Sequence, residues 1–459
     1  MQLSCRQMSG FFASSSSTFS SSSSVRTYSI NVGPSPILRH RSHSRTYLPQ
    51  ILATSVSLAE NQAPVIEAIS TLDKTQLKQL ATSWGYDQLG TSLPPGITTG
   101  VLSSSIPEEL TGFDLKRLLL GLIAPFALMT AGYFWMWYMH SIIPAWQQAT
   151  CWIMIGTGYF GLFNVAHDAA RMALLPDNLS LQSWIGSLIM APSLYSLEAW
   201  RASLFVHYNM TNILREDEGA WRPITKKQLS TLGPMATAWA RLISTTPLKL
   251  LGSIVHWIRS FDGLDLKQYY PPMRVPMIIS WSIPFLFMGV AWPALICMGG
   301  VGAWFDLWFM PWIVFHVWLS FITLLHHTAP HVPFVGGRQQ DYDAAQAILN
   351  GTVTVTLPRW LEFLINYANY HLPQHLRNDV PFYHAKQATE AIRQKLGPYL
   401  TETKLSGRLV RNLVERWQVY DEDKQTYIPF QKAVDEIRLR EHNSEVDMSP
   451  ELSLKPHPS

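Results

Sequence analysis

Four apolar runs separated by polar stretches of very unequal length organise this chain: Leu118–Met139, roughly Ala145–Ala166, Val275–Met298 and Leu307–Leu325. Each approaches the length of about 20 residues that an α-helix needs to cross a bilayer. A fifth apolar piece, Trp184–Leu194, is too short to span and predicts an interfacial or re-entrant segment. The connections His140–Trp146 and Gly299–Asp306 contain no Lys or Arg, whereas Asn164 to Arg274 contains eleven. Basic residues collect on one side of a membrane. Both large polar segments, with Lys116, Arg117 and the basic C-terminal region, therefore share one face, and two tight turns occupy the other. The pattern predicts an all-α membrane protein: four transmembrane helices in two hairpins, an interfacial helix, and a helical polar cap. Residues 113–375 form this unit. Residues 60–112 read as a soluble lead-in, with a helix starting at Ile106-Pro107-Glu108-Glu109-Leu110. Residues 376–459 read as a charged, soluble helical tail packed on the cap and frayed after about Glu441.

Composition agrees. Apolar residues make up 47% of the 459 and charged residues only 15%, against about a quarter in soluble proteins. Many of the 18 tryptophans sit near the ends of apolar stretches, where an aromatic belt lies. A net charge of +3 with no basic run excludes a nucleic-acid partner. Cys5, Cys151 and Cys297 are too scattered for a disulfide framework or a cysteine-ligated metal. Residues 1–59 contain 17 Ser, five Arg and no Asp or Glu, the signature of a transit peptide for a plastid or a mitochondrion.

The cap carries 8 of the 15 histidines: His167, His207, His256, His326, His327, His331, His371 and His375. Ligands on a helix must stand three or four residues apart to share a face. Four residues after His167 stands Arg171; around His207 stand Leu204 and Tyr208; His371 and His375 are a pair at that interval, with Gln374 between them. A lone histidine near a helix end is more often structural than a ligand, but several in one cap with Thr323-Leu324-Leu325-His326-His327-Thr328-Ala329-Pro330-His331 form a constellation. His316 lies mid-helix, where an ionisable group is a functional candidate, though a hydrogen-bonded packing histidine fits equally. No phosphate-binding glycine loop, nucleophile elbow or zinc-protease motif is present.

Phe309-Met310-Pro311-Trp312, His316-Val317-Trp318, His326-His327-Thr328-Ala329-Pro330-His331-Val332-Pro333-Phe334, Leu349-Asn350-Gly351-Thr352-Val353, Pro358-Arg359-Trp360 and Trp200-Arg201 with Thr211-Asn212 resemble the plastid omega-6 (Δ12-type) acyl-lipid fatty acid desaturases. The resemblance covers about residues 90–430 and includes the order of four spanning helices and three histidine boxes. It implies the membrane desaturase fold, a plastid location ahead of a mitochondrial one, and a substrate of acyl chains in membrane glycerolipids. In that family the boxes resemble HDCAH, HxxHH and HxPHH and bind two irons. Carried over by position, His167, His207, His371 and His375 match ligands, while Arg171, Leu204, Tyr208 and Gln374 stand where ligands are lost. His326, His327 and His331 match further family histidines whose ligand status the sequence leaves open. Glu216-Asp217-Glu218 resembles the acidic segment after the second box and reads as a solvated loop.

The losses have unequal costs. Leucine offers no donor, glutamine only a weak carbonyl oxygen, and tyrosine a phenolate only once deprotonated. Arginine cannot lose its proton, and a guanidinium about 5 Å from a dication is repelled by roughly 7 kcal/mol at an effective dielectric near 20. Asp168, adjacent to His167, points about 100° away on a helix and is not expected to neutralise Arg171. The sequence therefore predicts a frame of this family without a normal diiron centre: a non-desaturating lipid-binding or regulatory paralogue holding no metal or one ion. An active omega-6 desaturase with two Fe and ferredoxin as electron donor stands as the alternative. A single-metal, hydroxylase-like enzyme is the third reading.

Overall fold

The computed structural model describes residues 65–140, 142–214, 217–332, 334–335 and 342–448; the predicted transit peptide at 1–59 lies outside them. Helix α1, Leu115–Tyr138, opens at Asp114, whose carboxylate accepts the Arg117 amide. Its outer face carries Ile123, Phe126 and Trp137, all exposed, as expected of a surface that meets lipid. Helix α2, Ala145–Ala170, runs antiparallel to it. Gly132 lies against Cys151 and Ile155, Gly158 against Met129 and Pro125, and Gly161 against Pro125. A Cβ at Gly158 would stand 2.3 Å from the Met129 side chain, so the small residues permit the close approach by which membrane helices gain packing contacts.

Helix α3, Leu179–Met190, is the short apolar piece of the sequence; Leu181, Trp184 and Leu188 face outward from it. Helix α4, Leu197–Asn209, follows, capped by the Ser196 hydroxyl. Helices α5, Pro271–Trp304, and α6, Met310–His327, belong to one helical run of 57 residues. The sequence predicts two spans here, and the run is broken between them at Gly299 and Gly300. Gly300 has φ 72° and ψ −169°, a region open essentially only to glycine. The chain reverses there: Trp292 before the break meets Trp304 and Trp308 after it, with ring centroids 5.6 and 4.8 Å apart. Among the described residues, three helical runs are thus long and apolar enough to cross a membrane, and the fold-back of the third gives the four predicted helices.

The cap departs from the expected pattern in three places. The predicted helix at Ile106–Leu110 is only a 3₁₀ turn, Glu108–Thr111, because Gly112 leaves the helical region. The segment after residue 376 is not purely helical: Glu402–Lys404 pairs in parallel with Thr354–Thr356, while Val419–Asp421 lies between Ile224–Thr225 and Thr426–Ile428. Three-residue strands are too short to show in a periodicity read over a long charged segment. Trp417, Tyr420 and Tyr427 enter the main hydrophobic core beside Phe334, so this segment is built into the cap. Finally, the last helix runs Phe430–Met448, past the expected fraying point.

Candidate metal centre

His207 lies in the last turn of α4, His327 ends α6, His371 is the N-cap of the one-turn helix α7, Leu372–Leu376, and His375 lies within it. These three helix ends meet in the cap, and one nitrogen from each of the four rings lies within 4.8 Å of the others. The outer ring nitrogens are all engaged. His207 Nδ1 lies 2.6 Å from Asp217 Oδ1, His327 Nδ1 3.0 Å from the Gly351 carbonyl, His371 Nδ1 3.0 Å from Gln374 Oε1, and His375 Nδ1 3.2 Å from Thr211 Oγ1. Nε2 of His327 and of His375 is buried with no hydrogen-bond partner. An imidazole tied through one nitrogen and free at the other is the arrangement of a metal ligand, since the outer bond sets tautomer and ring orientation.

Electrostatics favour the ligating form. Burial first, then the neighbouring imidazoles, hold His371 and His375 well below the ordinary histidine value, so both are neutral, as metal binding requires. Burial opposes ionisation of Asp217, but His207 and the amides of Asn212 and Gly219 outweigh it and keep the carboxyl below its usual range. A cavity of about 70 Å³ adjoins the group, lined among others by His167, Leu204, His207, His326, His327 and His371. It has room for an ion with a few water-sized ligands.

The structure redistributes the predicted residues. Of the candidates the sequence offers, His207, His371 and His375 converge, and the fourth ring of the group is His327 rather than His167. His167 stands at the cavity wall, its ring 6.4 Å from that of His371 and its buried Nδ1 without a partner. His326 stacks on His371 at 5.0 Å from outside the group. His316 hydrogen-bonds Ser253 at 2.8 Å among Trp312, Phe315 and Tyr195, and His331 bonds Thr401 at 2.8 Å while stacking on Trp84. Neither belongs to the clustered group, although His316 Nε2 and His331 Nδ1 are also buried without a partner. His256 bridges Tyr195 and Ser203.

At the four lost positions, Leu204 is apolar and buried. Burial pushes the Tyr208 phenol well above its ordinary value despite the opposing Arg171 charge, so no phenolate is available. Gln374 has its carbonyl oxygen on His371. Arg171 corrects the sequence-based expectation: its guanidinium pairs with Asp168 inside the protein and also donates to the Asn378 and Val380 carbonyls at 2.9 and 3.0 Å. The angle that matters runs from Asp168 to Arg171, three residues or about 300°, which brings them within about 60° on one face. The angle between Asp168 and His167 has no bearing on that pair.

Asp217 is a second correction. The solvated loop expected at Glu216-Asp217-Glu218 is, at Asp217, a buried carboxylate bound to a cluster histidine; Glu216 lies outside the described residues. Thr211 and Gly351, noticed in the sequence only for their resemblance, supply outer bonds to His375 and His327. A Cβ on Gly351 would lie 1.9 Å from Asn212 Nδ2, so any side chain there would displace the Asn212 amide. The four clustered rings could together hold a metal ion, and the cavity beside them is also lined by His167, His256, His326 and Glu218.

The fatty acid desaturase family profile matches residues 144–405. The chloroplastic omega-6 fatty acid desaturase of Spinacia oleracea is 31% identical over 407 residues, 88% of this chain and 87% of that protein. That of Glycine max is 32% identical over 76% of this chain and 79% of its own length. The sn-1 oleoyl-lipid 12-desaturase of Synechocystis is 32% identical over 64% and 82%. With a matched span that contains every clustered histidine, and similarity along most of both chains, this protein belongs to the fatty acid desaturase family, in its omega-6 acyl-lipid branch.

Proposed function

We propose that this chain is a metal-bearing, non-desaturating member of its family: it holds one ion on His207, His327, His371 and His375 and acts in plastid membranes as a lipid-binding or regulatory paralogue. The observation that carries this reading is the four-imidazole group with every outer nitrogen engaged. Nitrogen donors of this kind suit zinc or iron. A second ion lacks its ligands, because Leu204, Tyr208 and Gln374 offer no free donor and Arg171 is tied to Asp168. The Ser- and Arg-rich leader and the chloroplastic relatives support a plastid membrane over a mitochondrial one. Elemental analysis of the purified full chain tests the proposal. One metal per folded chain is expected, and two irons per chain would overturn it.

An active acyl-lipid desaturase is the second reading. It is favoured by His167 and His326, which remain beside His371, and by the neutralised charge of Arg171. In this reading two Fe and ferredoxin are needed. Expression with ferredoxin in a host lacking polyunsaturated lipids separates the two: new double bonds in membrane glycerolipids support the desaturase, and an unchanged acyl profile supports the paralogue.

A further inference from the structure

Tyr195, in the turn between α3 and α4, is completely buried, and its phenol lies 3.1 Å from His256 Nδ1. The neighbours place the proton in that bond. Ser203 Oγ donates its single proton to the Glu218 carbonyl at 2.8 Å, so toward His256 Nε2, at 3.2 Å, it can only accept. Nε2 therefore carries the imidazole proton. Burial, with the charges of Arg259 and Arg222, lowers His256 to about 3, so the ring is neutral and Nδ1 presents a lone pair. The Tyr195 hydroxyl donates to it, with the Ser253 carbonyl as a longer second acceptor at 3.3 Å. A buried phenol aimed at an imidazole lone pair can release its proton without reaching water.

Indoles flank this pair on two sides. Trp200, on the wall of the histidine cavity, meets Tyr195 edge-on with ring centroids 5.1 Å apart. On the other side His316 lies 6.2 Å from Tyr195 and 4.3 Å from Trp312. Trp308 follows at 5.7 Å from Trp312, and Trp292 at 4.8 Å from Trp308. Trp308, Trp312 and Trp257 donate their indole N–H groups to the carbonyls of Pro192, Ser193 and Leu194, the three residues before Tyr195. These bonds hold the rings against the turn that carries the phenol. An oxidised indole regains an electron from tyrosine readily only where the phenol can give up its proton in the same step. We infer that Tyr195 and His256 form a redox-active pair that reduces a neighbouring tryptophan once a one-electron oxidising radical has attacked it. The Tyr195 electron moves to the indole and its proton to His256 Nδ1, leaving a neutral tyrosyl, an imidazolium and a restored tryptophan. A small one-electron reductant of the ascorbate class then returns the electron, and His256 returns the proton. An oxidised phenol is a far stronger acid than an imidazolium, so the weak basicity of the buried His256 does not block the transfer. The pair lies outside the four clustered rings and needs no metal.

Pulse radiolysis of the purified full chain in detergent tests it, with the azide radical as the one-electron oxidant of tryptophan. The indolyl absorption is expected to decay as a tyrosyl absorption rises, and to do so more slowly in deuterated buffer. Tyr195→Phe keeps the ring, removes the hydroxyl and should lose most of the tyrosyl yield. His256→Gln offers a hydrogen-bond acceptor that cannot hold a proton, and should slow the transfer about a hundredfold. Tyr133→Phe is the control, because the Tyr133 hydroxyl donates to the Leu307 carbonyl, which takes up no proton; yield and rate should stay as in the unaltered chain. Absence of a tyrosyl signal or of an isotope effect in the unaltered chain would overturn the inference. So would an undiminished yield in Tyr195→Phe, an unchanged rate in His256→Gln, or loss of the signal in Tyr133→Phe instead.

Discussion

His207 Nδ1 and Asp217 Oδ1 lie 2.6 Å apart in the buried cap, and the same carboxylate accepts the Asn212 and Gly219 amides. Asp217 thus holds the ring of His207 in one orientation and places negative charge behind the cluster. An outer carboxylate of this kind typically contributes about ten- to hundredfold in metal affinity. Asp217→Asn should lower metal affinity by about that factor while leaving the helical content intact. Competition with a chelator reads the affinity directly; an unchanged value would mean that Asp217 only braces the loop.

His327 and His167 should separate cleanly. His327→Ala removes a clustered ring and should abolish stoichiometric metal, whereas His167→Ala, at the cavity wall, should retain it. Metal per folded chain is the measurement. The reverse result would restore the ligand set expected from the sequence.

Breaking the buried pair of Arg171 and Asp168 from one side should be costly, since their side chains are 1% and 0% exposed. Asp168→Asn leaves the guanidinium uncompensated and should destabilise the protein by about 3–5 kcal/mol. The double variant Asp168→Asn, Arg171→Met should recover much of that loss. Thermal unfolding in detergent compares the three proteins; equal melting of wild type and Asp168→Asn would show that the pair carries little.

Lys249 gives a pH signature. It is fully buried, donates to the Leu413 and Trp417 carbonyls at 2.7 and 2.6 Å, and is lowered by burial from 10.5 to about 7. Between these values the unfolded chain binds the proton that the folded chain has released, so stability rises with pH across about 7 to 10.5. Below that window the folded state carries the full cost of burying the charge. Lys249→Met should remove this contribution, and unfolding measured across the window for both proteins checks whether the slope differs.

The sequence showed the frame well because its signals are local. A helix that crosses a membrane needs a continuous apolar run, and a loop that carries no basic residue declares its side. Even the reversal of the third run was legible as Gly299-Gly300, a glycine pair at the predicted turn. The short strands around Val419–Asp421 and Thr426–Ile428 were not legible, because three residues define no period and their partners lie far away in the chain.

The metal centre divides along the same line. Sequence alone determined which residue types stand at the family's ligand positions, and so that four of those positions hold Arg171, Leu204, Tyr208 and Gln374. It also determined which histidines were present to compensate. Only the tertiary structure decided that His327 replaces His167 in the cluster, that Asp217 is buried against His207, and that Arg171 is neutralised by Asp168. Convergence of ligand atoms depends on where separate helices end and how their axes meet, whereas residue spacing reports only which side chains share a face of one helix. The count of lost histidines describes the departure from the family's boxes; the packing of three helix ends is what brings His207, His327, His371 and His375 together.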